Sequence, residues 1–191
     1  MRRNGKVPDL RNKGKTQKPI WDIWGAKAQR GFDSLSPYYF LLINTFKYNT
    51  LYYYTMKRLI IMMGPQGSGK TTICKKYYSD YFRISQDEQG REHKNIFDDA
   101  VKKGVERIVV DKTNPSIKSR ARFVNLAKQH DYKIAIIWLD VERKKCKERI
   151  LKRKNHETLL PSKADEALDQ YFSRIEPPTA KEGDFIKRIR I

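Results

Sequence analysis

The sequence has only two cysteines, Cys74 and Cys146, in its 191 residues. They form neither a CxxC pair nor a metal-ligand cluster with the three histidines, so their pattern predicts neither a disulfide framework nor a zinc site. A chain this poor in cysteine is typical of a reducing compartment, and we therefore expect a cytoplasmic protein.

Long apolar runs are also missing. The run YYFLLINTF, at residues 38–46, has about half the length that a membrane span requires. The basic amino-terminal stretch contains no apolar segment followed by a small-residue cleavage site. We therefore expect neither a secretion signal nor contact with a membrane.

Acidic residues are scarce, with 22 Asp and Glu against 41 Lys and Arg, and the formal net charge is +19. Residues 1–55 carry +7 of this charge and residues 56–191 carry +12. Such a surplus favours a polyanionic partner, which is nucleic acid, a nucleotide or an anionic surface. Charge alone does not choose among them.

The composition changes near residue 55. We predict a basic and aromatic extension over residues 1–55, followed by one α/β domain over residues 56–191. The first stretch of the extension is too polar to fold alone and should be partly disordered. Its later aromatic and basic residues suggest a surface for single-stranded nucleic acid. An appendage packed on the core and a leader upstream of Met56 are the alternatives.

The strongest motif begins at Gly64. An apolar run leads into GPQGSGKTT, which has the GxxxxGK[ST] spacing of a P-loop, and a helical pattern follows. Glycines let backbone N–H groups surround phosphates, Lys70 reaches the β- and γ-phosphates, and the Thr71 hydroxyl binds Mg²⁺. We therefore predict ATP and Mg²⁺ as cofactors. The predicted nucleotide site consists of Gly64, Pro65, Gln66, Gly67, Ser68, Gly69, Lys70, Thr71 and Thr72.

Strand-like and helix-like segments alternate along this domain. The predicted strands are residues 59–63, 82–84, 107–111 and 133–139, with a last one inside FIKRIRI. Beyond the P-loop helix, the predicted helices are residues 88–103, 115–129, 142–154 and 162–174, the second with Asn114 as its N-cap. Repeated βα units predict an α/β P-loop NTPase fold with a mostly parallel sheet, helices on both faces and a basic helical lid.

Three strand ends should meet in one crevice, because nucleotides bind at the carboxyl ends of parallel strands. These are the P-loop, the segment after Ile84, and DKTN at residues 111–114. Asp87 lies in the second of them and is a candidate to accept a proton from an incoming hydroxyl group. A helix N-cap is the alternative role for Asp87, and the two roles are compatible.

The stretch VERIVVDKTNPSIKSRARFVNLAKQH, at residues 105–130, resembles the kinase domain of polynucleotide 5′-hydroxyl kinases. It is most similar to the kinase half of polynucleotide kinase-phosphatase repair enzymes. The similarity extends from Met56 to the carboxyl terminus. It includes the P-loop, the acidic residue after the second strand, a lid helix with arginines, and the Pro-containing turn in HETLLPSKAD.

The resemblance implies roles for matching positions. Asp87 is similar to the general base that deprotonates the polynucleotide 5′-hydroxyl group. Asp111 is similar to a carboxylate that supports the site, either from behind the metal ligands or through a Mg²⁺-bound water. Arg149 and Arg153 resemble lid arginines that hold the donor phosphates together with Lys70. The acceptor-binding residues implied in this way are Asp87, Arg91, Thr113, Asn114 and Arg120.

The sequence departs from the family pattern beside Asp87. Ser85 and Gln86 stand where many relatives have Asn-Arg, and Arg91 follows Asp87 by four residues, where phage-type enzymes have an arginine after three. These differences leave the acceptor side less well defined than the ATP side.

The sequence thus predicts an ATP-dependent polynucleotide 5′-hydroxyl kinase that acts on DNA or RNA ends in nucleic-acid repair. Neither a DxDx[TV] phosphatase motif nor a KxDG ligase motif occurs in these 191 residues, so we expect a separate phosphatase or ligase as partner. The alternatives are a small-molecule kinase of the gluconate or shikimate type and a non-catalytic module that binds ATP or nucleic acid.

Overall fold

The structure is a computed structural model that describes residues 56–152 and 159–191. The predicted extension over residues 1–55 and the predicted lid residue Arg153 lie outside the described residues. None of the helices in the described ranges is long and apolar enough to cross a membrane.

Five strands of the described chain form one parallel sheet in the order β2-β3-β1-β4-β5. They are β1 (Arg58–Met63), β2 (Phe82–Ser85), β3 (Arg107–Asp111), β4 (Lys133–Asp140) and β5 (Phe185–Arg190). Strand β1 pairs with β3 on one side and with β4 on the other. Its last five residues are buried, as expected for a central parallel strand that helices cover on both faces.

Helices connect the strands. They are α1 (Lys70–Tyr77), α2 (Gln86–Gln89), α3 (His93–Lys102), α4 (Ile117–Gln129), α5 (Arg143–Leu151) and α6 (Ala164–Phe172), with short 3₁₀ turns at Gly90–Glu92 and Pro161–Lys163. On one face, alternate residues of β1 pack against α3 and α4 in a core that includes Leu59, Ile61, Phe97 and Phe123. On the other face, α1, α5 and α6 cover a core that includes Ile60, Met62, Cys74 and Leu168.

This architecture confirms the predicted α/β fold with helices on both faces of a parallel sheet. The prediction of one continuous helix over residues 88–103 is wrong, because the structure divides this range into separate helical segments. The chain forms a helical turn at α2, leaves the helical conformation at Gly90, and enters α3 through a 3₁₀ turn. Gly90 has φ 57° and ψ −134°, a conformation that interrupts the helical hydrogen bonds.

Asn114 does not cap the helix that follows β3. That helix starts at Ile117, and its N-cap is Ser116, whose side chain accepts a hydrogen bond from the Ser119 N–H at 3.1 Å. The Ser119 hydroxyl in turn accepts from the Ser116 N–H at 3.0 Å, which completes a capping box. Asn114 instead has a φ of 45°, which asparagine tolerates better than most residues.

Candidate active site

The P-loop is anchored to the neighbouring strand end. The backbone N–H of Gly64 donates a hydrogen bond to the carbonyl of Thr113 at 3.0 Å. One residue further, the Asn114 side-chain amide donates to the carbonyl of Met62 at 2.8 Å. The ends of β1 and β3 are thus joined by two bonds, and the DKTN segment supports the loop from the side.

Lys70 opens α1 and folds back into the loop. Its buried ammonium donates to the Gly64 carbonyl at 2.9 Å, to the Pro65 carbonyl at 2.7 Å and to the Ser68 hydroxyl at 3.3 Å. Burial lowers the pKa of Lys70 from its ordinary 10.5 to about 8, although the nearby Asp111 and Asp87 carboxylates oppose the shift. These hydrogen-bond acceptors are neutral, so a phosphate would be a stronger partner for the ammonium.

A pocket of about 220 Å³ opens beside this lysine. Its walls come from the P-loop and α1, from the start of α2, from the turn after β3, and from the segment before α6. They are Gln66, Gly67, Gly69, Lys70, Thr71, Thr72, Gln86, Asp87, Asp111, Lys112, Thr113 and Leu159. The expected meeting of three strand ends in one crevice is therefore confirmed.

Asp87 lies in the first turn of α2 and is exposed. The N-cap position of this helix is Ser85, so the alternative role of Asp87 as an N-cap is wrong. The carboxylate lines the pocket together with Lys70 and Thr71. A carboxylate and the P-loop lysine thus line one cavity, an arrangement compatible with phosphoryl transfer to a hydroxyl group.

Asp111 ends β3 and is buried, and its Oδ2 accepts a hydrogen bond from Nη1 of Arg83 at 2.6 Å. Arg83 also pairs with Glu88, the residue after Asp87. Sequence reasoning did not identify Arg83. The available signal was strand alternation, because Arg83 shares a face of β2 with Ser85, which is in register with Asp111.

Two residues predicted to bind the acceptor do not line the pocket. Asn114 is fully buried beneath the P-loop. Arg120 is also fully buried, and its Nε donates to Glu182 at 2.6 Å while its other nitrogens donate mainly to backbone carbonyls. The prediction that they bind substrate is therefore corrected: both side chains are enclosed by bonds that hold the turn after β3.

Two of the three predicted arginines do not line the pocket, and the third is not described by the structure. Arg91 is exposed in the 3₁₀ turn, and Arg149 is exposed in the last turn of α5, and neither is among the residues that line the cavity. Arg153 lies outside the described residues. Their roles at the acceptor and at the donor phosphates stay predictions.

The residues present fit a nucleotide and a magnesium ion. Thr71 is exposed in the first turn of α1 and lines the pocket with Asp111. Within residues 56–152 and 159–191, no three or more His, Cys, Asp or Glu side chains form a metal cage. One hydroxyl group and one carboxylate beside a phosphate site are nonetheless a typical donor set for Mg²⁺, which takes its other ligands from phosphates and water.

The parallel sheet, the P-loop and the lysine within it define a P-loop kinase fold that binds a nucleotide. The sequence profile of a family described as an AAA domain matches residues 89–178, a range that begins after the P-loop. The predicted resemblance to polynucleotide kinases is confirmed by curated relatives.

Two such relatives are named bifunctional polynucleotide phosphatase/kinase, the first of them with the word putative in its name. The protein from Acanthamoeba polyphaga mimivirus is 38% identical over 80 residues, which cover 40% of this chain and 19% of the relative. The protein from Schizosaccharomyces pombe is 28% identical over 133 residues, which cover 66% of this chain and 32% of the relative. This chain thus spans less than a third of the length of each.

Solved structures share the fold at low identity. A sugar kinase from Janibacter sp. HTCC2649 has a TM-score of 0.51 at 18% identity, with 70% of this chain and 85% of that chain covered. Kti12 of Chaetomium thermophilum, in complex with ADP-AlF3, has a TM-score of 0.52 at 19% identity, with 69% and 88% covered. These similarities establish the fold and not the acceptor.

Proposed function

We propose that this chain is an ATP-dependent polynucleotide 5′-hydroxyl kinase, which transfers the γ-phosphoryl group of ATP to the 5′-OH end of DNA or RNA. The observation that carries this proposal is that Asp87 and Lys70 line the same pocket. The names of the two curated relatives support a polynucleotide as the acceptor.

On the donor side, Lys70 leaves its neutral acceptors and binds the β- and γ-phosphates of ATP, where it stabilises the charge that grows during transfer. Thr71 and Asp111 would hold Mg²⁺, which supplies additional neutralisation of the phosphates when it is bound. Arg149, in the last turn of α5, and Arg153 are our candidates for the lid arginines that hold the donor phosphates. Bidentate guanidinium groups suit phosphate oxygens.

On the acceptor side, Asp87 accepts the proton of the 5′-hydroxyl group as that oxygen attacks the γ-phosphorus. The bond between the γ-phosphorus and the bridging oxygen breaks, and its electron pair leaves with ADP. Because Asp87 is exposed to the pocket, an acceptor can reach it without unfolding of α2. The carboxylate is then reset by loss of the proton to solvent.

Lys112 provides a candidate contact for an acceptor phosphate. It is half-buried and lines the pocket with Asp87 and Thr113. Burial and the neighbouring Lys94 lower its pKa, and among the described residues no carboxylate lies within ion-pair distance of either lysine. Two lysines without a carboxylate partner favour an anionic ligand, such as the phosphate that follows the terminal nucleoside. Arg91 and Thr113 complete the proposed acceptor site.

A small-molecule kinase is the second candidate, because a pocket of about 220 Å³ is also large enough for a metabolite. A transfer assay separates the two. Labelled ATP is offered with 5′-hydroxyl DNA, 5′-hydroxyl RNA, free nucleosides, gluconate and shikimate, and Lys70→Ala serves as the inactive control. We expect labelled oligonucleotide from the wild-type chain and none from Lys70→Ala. If only a metabolite were labelled, the chain would be a small-molecule kinase and the proposed polynucleotide acceptor would be rejected. If no product were labelled, a non-catalytic module would be favoured.

A further inference from the structure

Arg83 makes contact with Asp111, which lines the pocket, and with Glu88, the residue after Asp87. Its Nη1 donates to Oδ2 of Asp111 at 2.6 Å, and its Nη2 donates to Oε1 of Glu88 in α2. The Arg83 side chain is 17% exposed and that of Asp111 is 3% exposed, so this ion pair is largely shielded from water. One guanidinium group therefore connects the end of β3 with the helix that carries Asp87.

The α2 helix needs such support. It has four residues, buries none of them and has no side-chain cap. A single isolated turn is unstable, because nucleation of a helix costs more than one hydrogen bond returns. The position of Asp87 therefore depends on contacts that its neighbours make with the sheet.

Gln89 makes a second connection at the same place. Its side-chain oxygen accepts from the Ser85 N–H at 3.0 Å, and its side-chain amide donates to the Arg83 carbonyl at 3.2 Å. These bonds hold the end of α2 against β2 but do not reach Asp111. Among these contacts, the Arg83 side chain is the one that ties the helix to the β3 carboxylate.

We propose that Arg83 is a positioning residue, which fixes the Asp87 helix relative to Asp111 and the P-loop for phosphoryl transfer. The inference rests on the proposed function for the chemistry that it serves. Arg83 binds Oδ2 of Asp111, a residue that also lines the pocket. Because Arg83 also holds Glu88, loss of its charge would remove the link between α2 and the β3 carboxylate and would leave Asp111 without its arginine partner.

The test compares Arg83→Gln and Arg83→Lys with Arg107→Gln. Arg107 is a suitable control because it also lies in a strand and pairs with an aspartate, Asp80, but at an exposed position that does not line the pocket. Each variant is assayed for kcat, for ATP binding and for hydrogen exchange of the amides of residues 86–92. Exchange requires neither substrate nor metal.

We expect kcat of Arg83→Gln to fall by about 10²-fold, because small displacements of a reacting group have effects of this size. Exchange in residues 86–92 should quicken by roughly tenfold or more, as for a segment that opens more often. Arg83→Lys should give intermediate values, since one ammonium cannot reproduce two directed contacts. ATP affinity and all properties of Arg107→Gln should stay near wild type.

Unchanged exchange in folded Arg83→Gln, or an equal loss of kcat in Arg107→Gln, would overturn the proposal. If Arg83→Gln fails to fold, Glu88→Gln is used instead, because this substitution removes only the more exposed of the two Arg83 contacts. Wild-type exchange and wild-type kcat in Glu88→Gln would also refute the positioning role. If no oligonucleotide is phosphorylated, the proposed function fails separately. The variants are then compared by their rates of ATP hydrolysis. A lower rate in the Arg83 variants but not in Arg107→Gln would support the positioning role, and equal rates in all variants would reject it.

Discussion

Gly67 of the P-loop lies directly against the backbone of α5. A Cβ atom at Gly67 would stand 2.7 Å from the carbonyl oxygen of Cys146 and 3.1 Å from Cγ1 of Ile150. The residue also has a φ of +78°, which side chains rarely adopt. The P-loop and α5 are therefore in contact, so a displacement of one would also displace the other.

Gly67→Ala should weaken ATP binding by roughly 5- to 150-fold, because the added methyl group must displace either the loop or α5, and overpacking of this kind costs about 1–3 kcal/mol. Isothermal titration with ATP measures this effect. Gly104→Ala is the matched control, since Gly104 has a φ of +72° but a Cβ atom there would meet nothing within 4 Å. Equal ATP affinities in the two variants would contradict the expected effect of contact between Gly67 and α5.

The buried pair of Arg120 and Glu182 should be a main contributor to stability. Arg120 Nε lies 2.6 Å from Glu182 Oε2, and their side chains are 0% and 8% exposed. Glu182→Gln leaves the arginine charge buried without its partner, which costs about 3–5 kcal/mol. Urea unfolding measures the loss.

The exposed pair of Arg122 and Asp98 provides the comparison. Asp98→Asn should change the free energy of unfolding by about 0–1 kcal/mol, because solvent screens such pairs. If Glu182→Gln were as mild as Asp98→Asn, Arg120 would not be the structural residue that its burial indicates, and its predicted role at the acceptor would need to be reconsidered.

Local sequence signals are sufficient for much of this fold. The apolar run before Gly64 and the β-branched run RIVVD identify central strands, because residues in such strands are buried on both faces. Glycine spacing with Lys70 and Thr71 identifies the phosphate loop, since few backbones other than this one require that pattern. Convergence of strand ends then brings Asp87 and Asp111 into one pocket.

The incorrect predictions for Arg120 and Asn114 have a common physical cause. The family resemblance implies that Arg120 is available to a substrate, but its charge is satisfied by Glu182, 62 positions away, and no local pattern reveals a partner at that separation. The place of Asn114 before Pro115 predicts a helix cap, yet its amide bonds the carbonyl of Met62 across the sheet. Long-range pairing of polar groups decides both positions.

Binding of ATP should take up a proton above about pH 8. Lys70 has a pKa of about 8 in the free protein, lowered by burial, so its ammonium is progressively lost as the pH rises through that value. Bound phosphates favour the charged form and raise the pKa, so ATP affinity should decline with rising pH over the same range. Calorimetry above that pH, in buffers of different ionisation enthalpy, measures the proton uptake.

Lys70→Arg is the control for this titration, because arginine keeps its charge throughout the accessible pH range. Lys112 also has a lowered pKa and lines the same pocket, so Lys112→Gln is measured in parallel. If proton uptake disappeared in Lys112→Gln and persisted in Lys70→Arg, the titrating group would be Lys112, and the prediction for Lys70 would be contradicted. In the absence of ATP, burial of the charged Lys70 ammonium lowers the free energy of unfolding below pH 8. This loss of stability diminishes as the pH rises from about 8 towards 10.5.

A polynucleotide acceptor should make KM dependent on salt, because each neutralised phosphate releases condensed counterions. The KM for a 5′-hydroxyl oligonucleotide should rise steeply between low and physiological salt, and Lys112→Gln should raise KM and reduce the salt slope by about 1. Exposed Lys102, at the end of α3, is the control position, and Lys102→Gln should change neither. A KM that does not respond to salt would favour a small-molecule acceptor.

The Asp87→Asn substitution tests the proposed proton acceptor most directly. It preserves the size of the side chain and removes its ability to take a proton, so kcat should fall by roughly 10²–10⁴-fold. ATP affinity should stay near wild type, because the role proposed for the carboxylate is at the acceptor and because Ser85, not Asp87, occupies the N-cap of α2. Single-turnover transfer and equilibrium nucleotide binding measure the two quantities.

Asp99→Asn, at an exposed position of α3, controls for the loss of one acidic charge and should leave transfer unchanged. Normal transfer with asparagine at position 87 would reject Asp87 as the base. The search would then move to Glu88, which is exposed and bound to Arg83, and to Asp111, which is buried and bound to the same arginine. Both carboxylates are already bound by the guanidinium group of Arg83, whereas Asp87 makes no such contact among the described residues and lines the open pocket. This difference is the physical reason to expect the loss at Asp87.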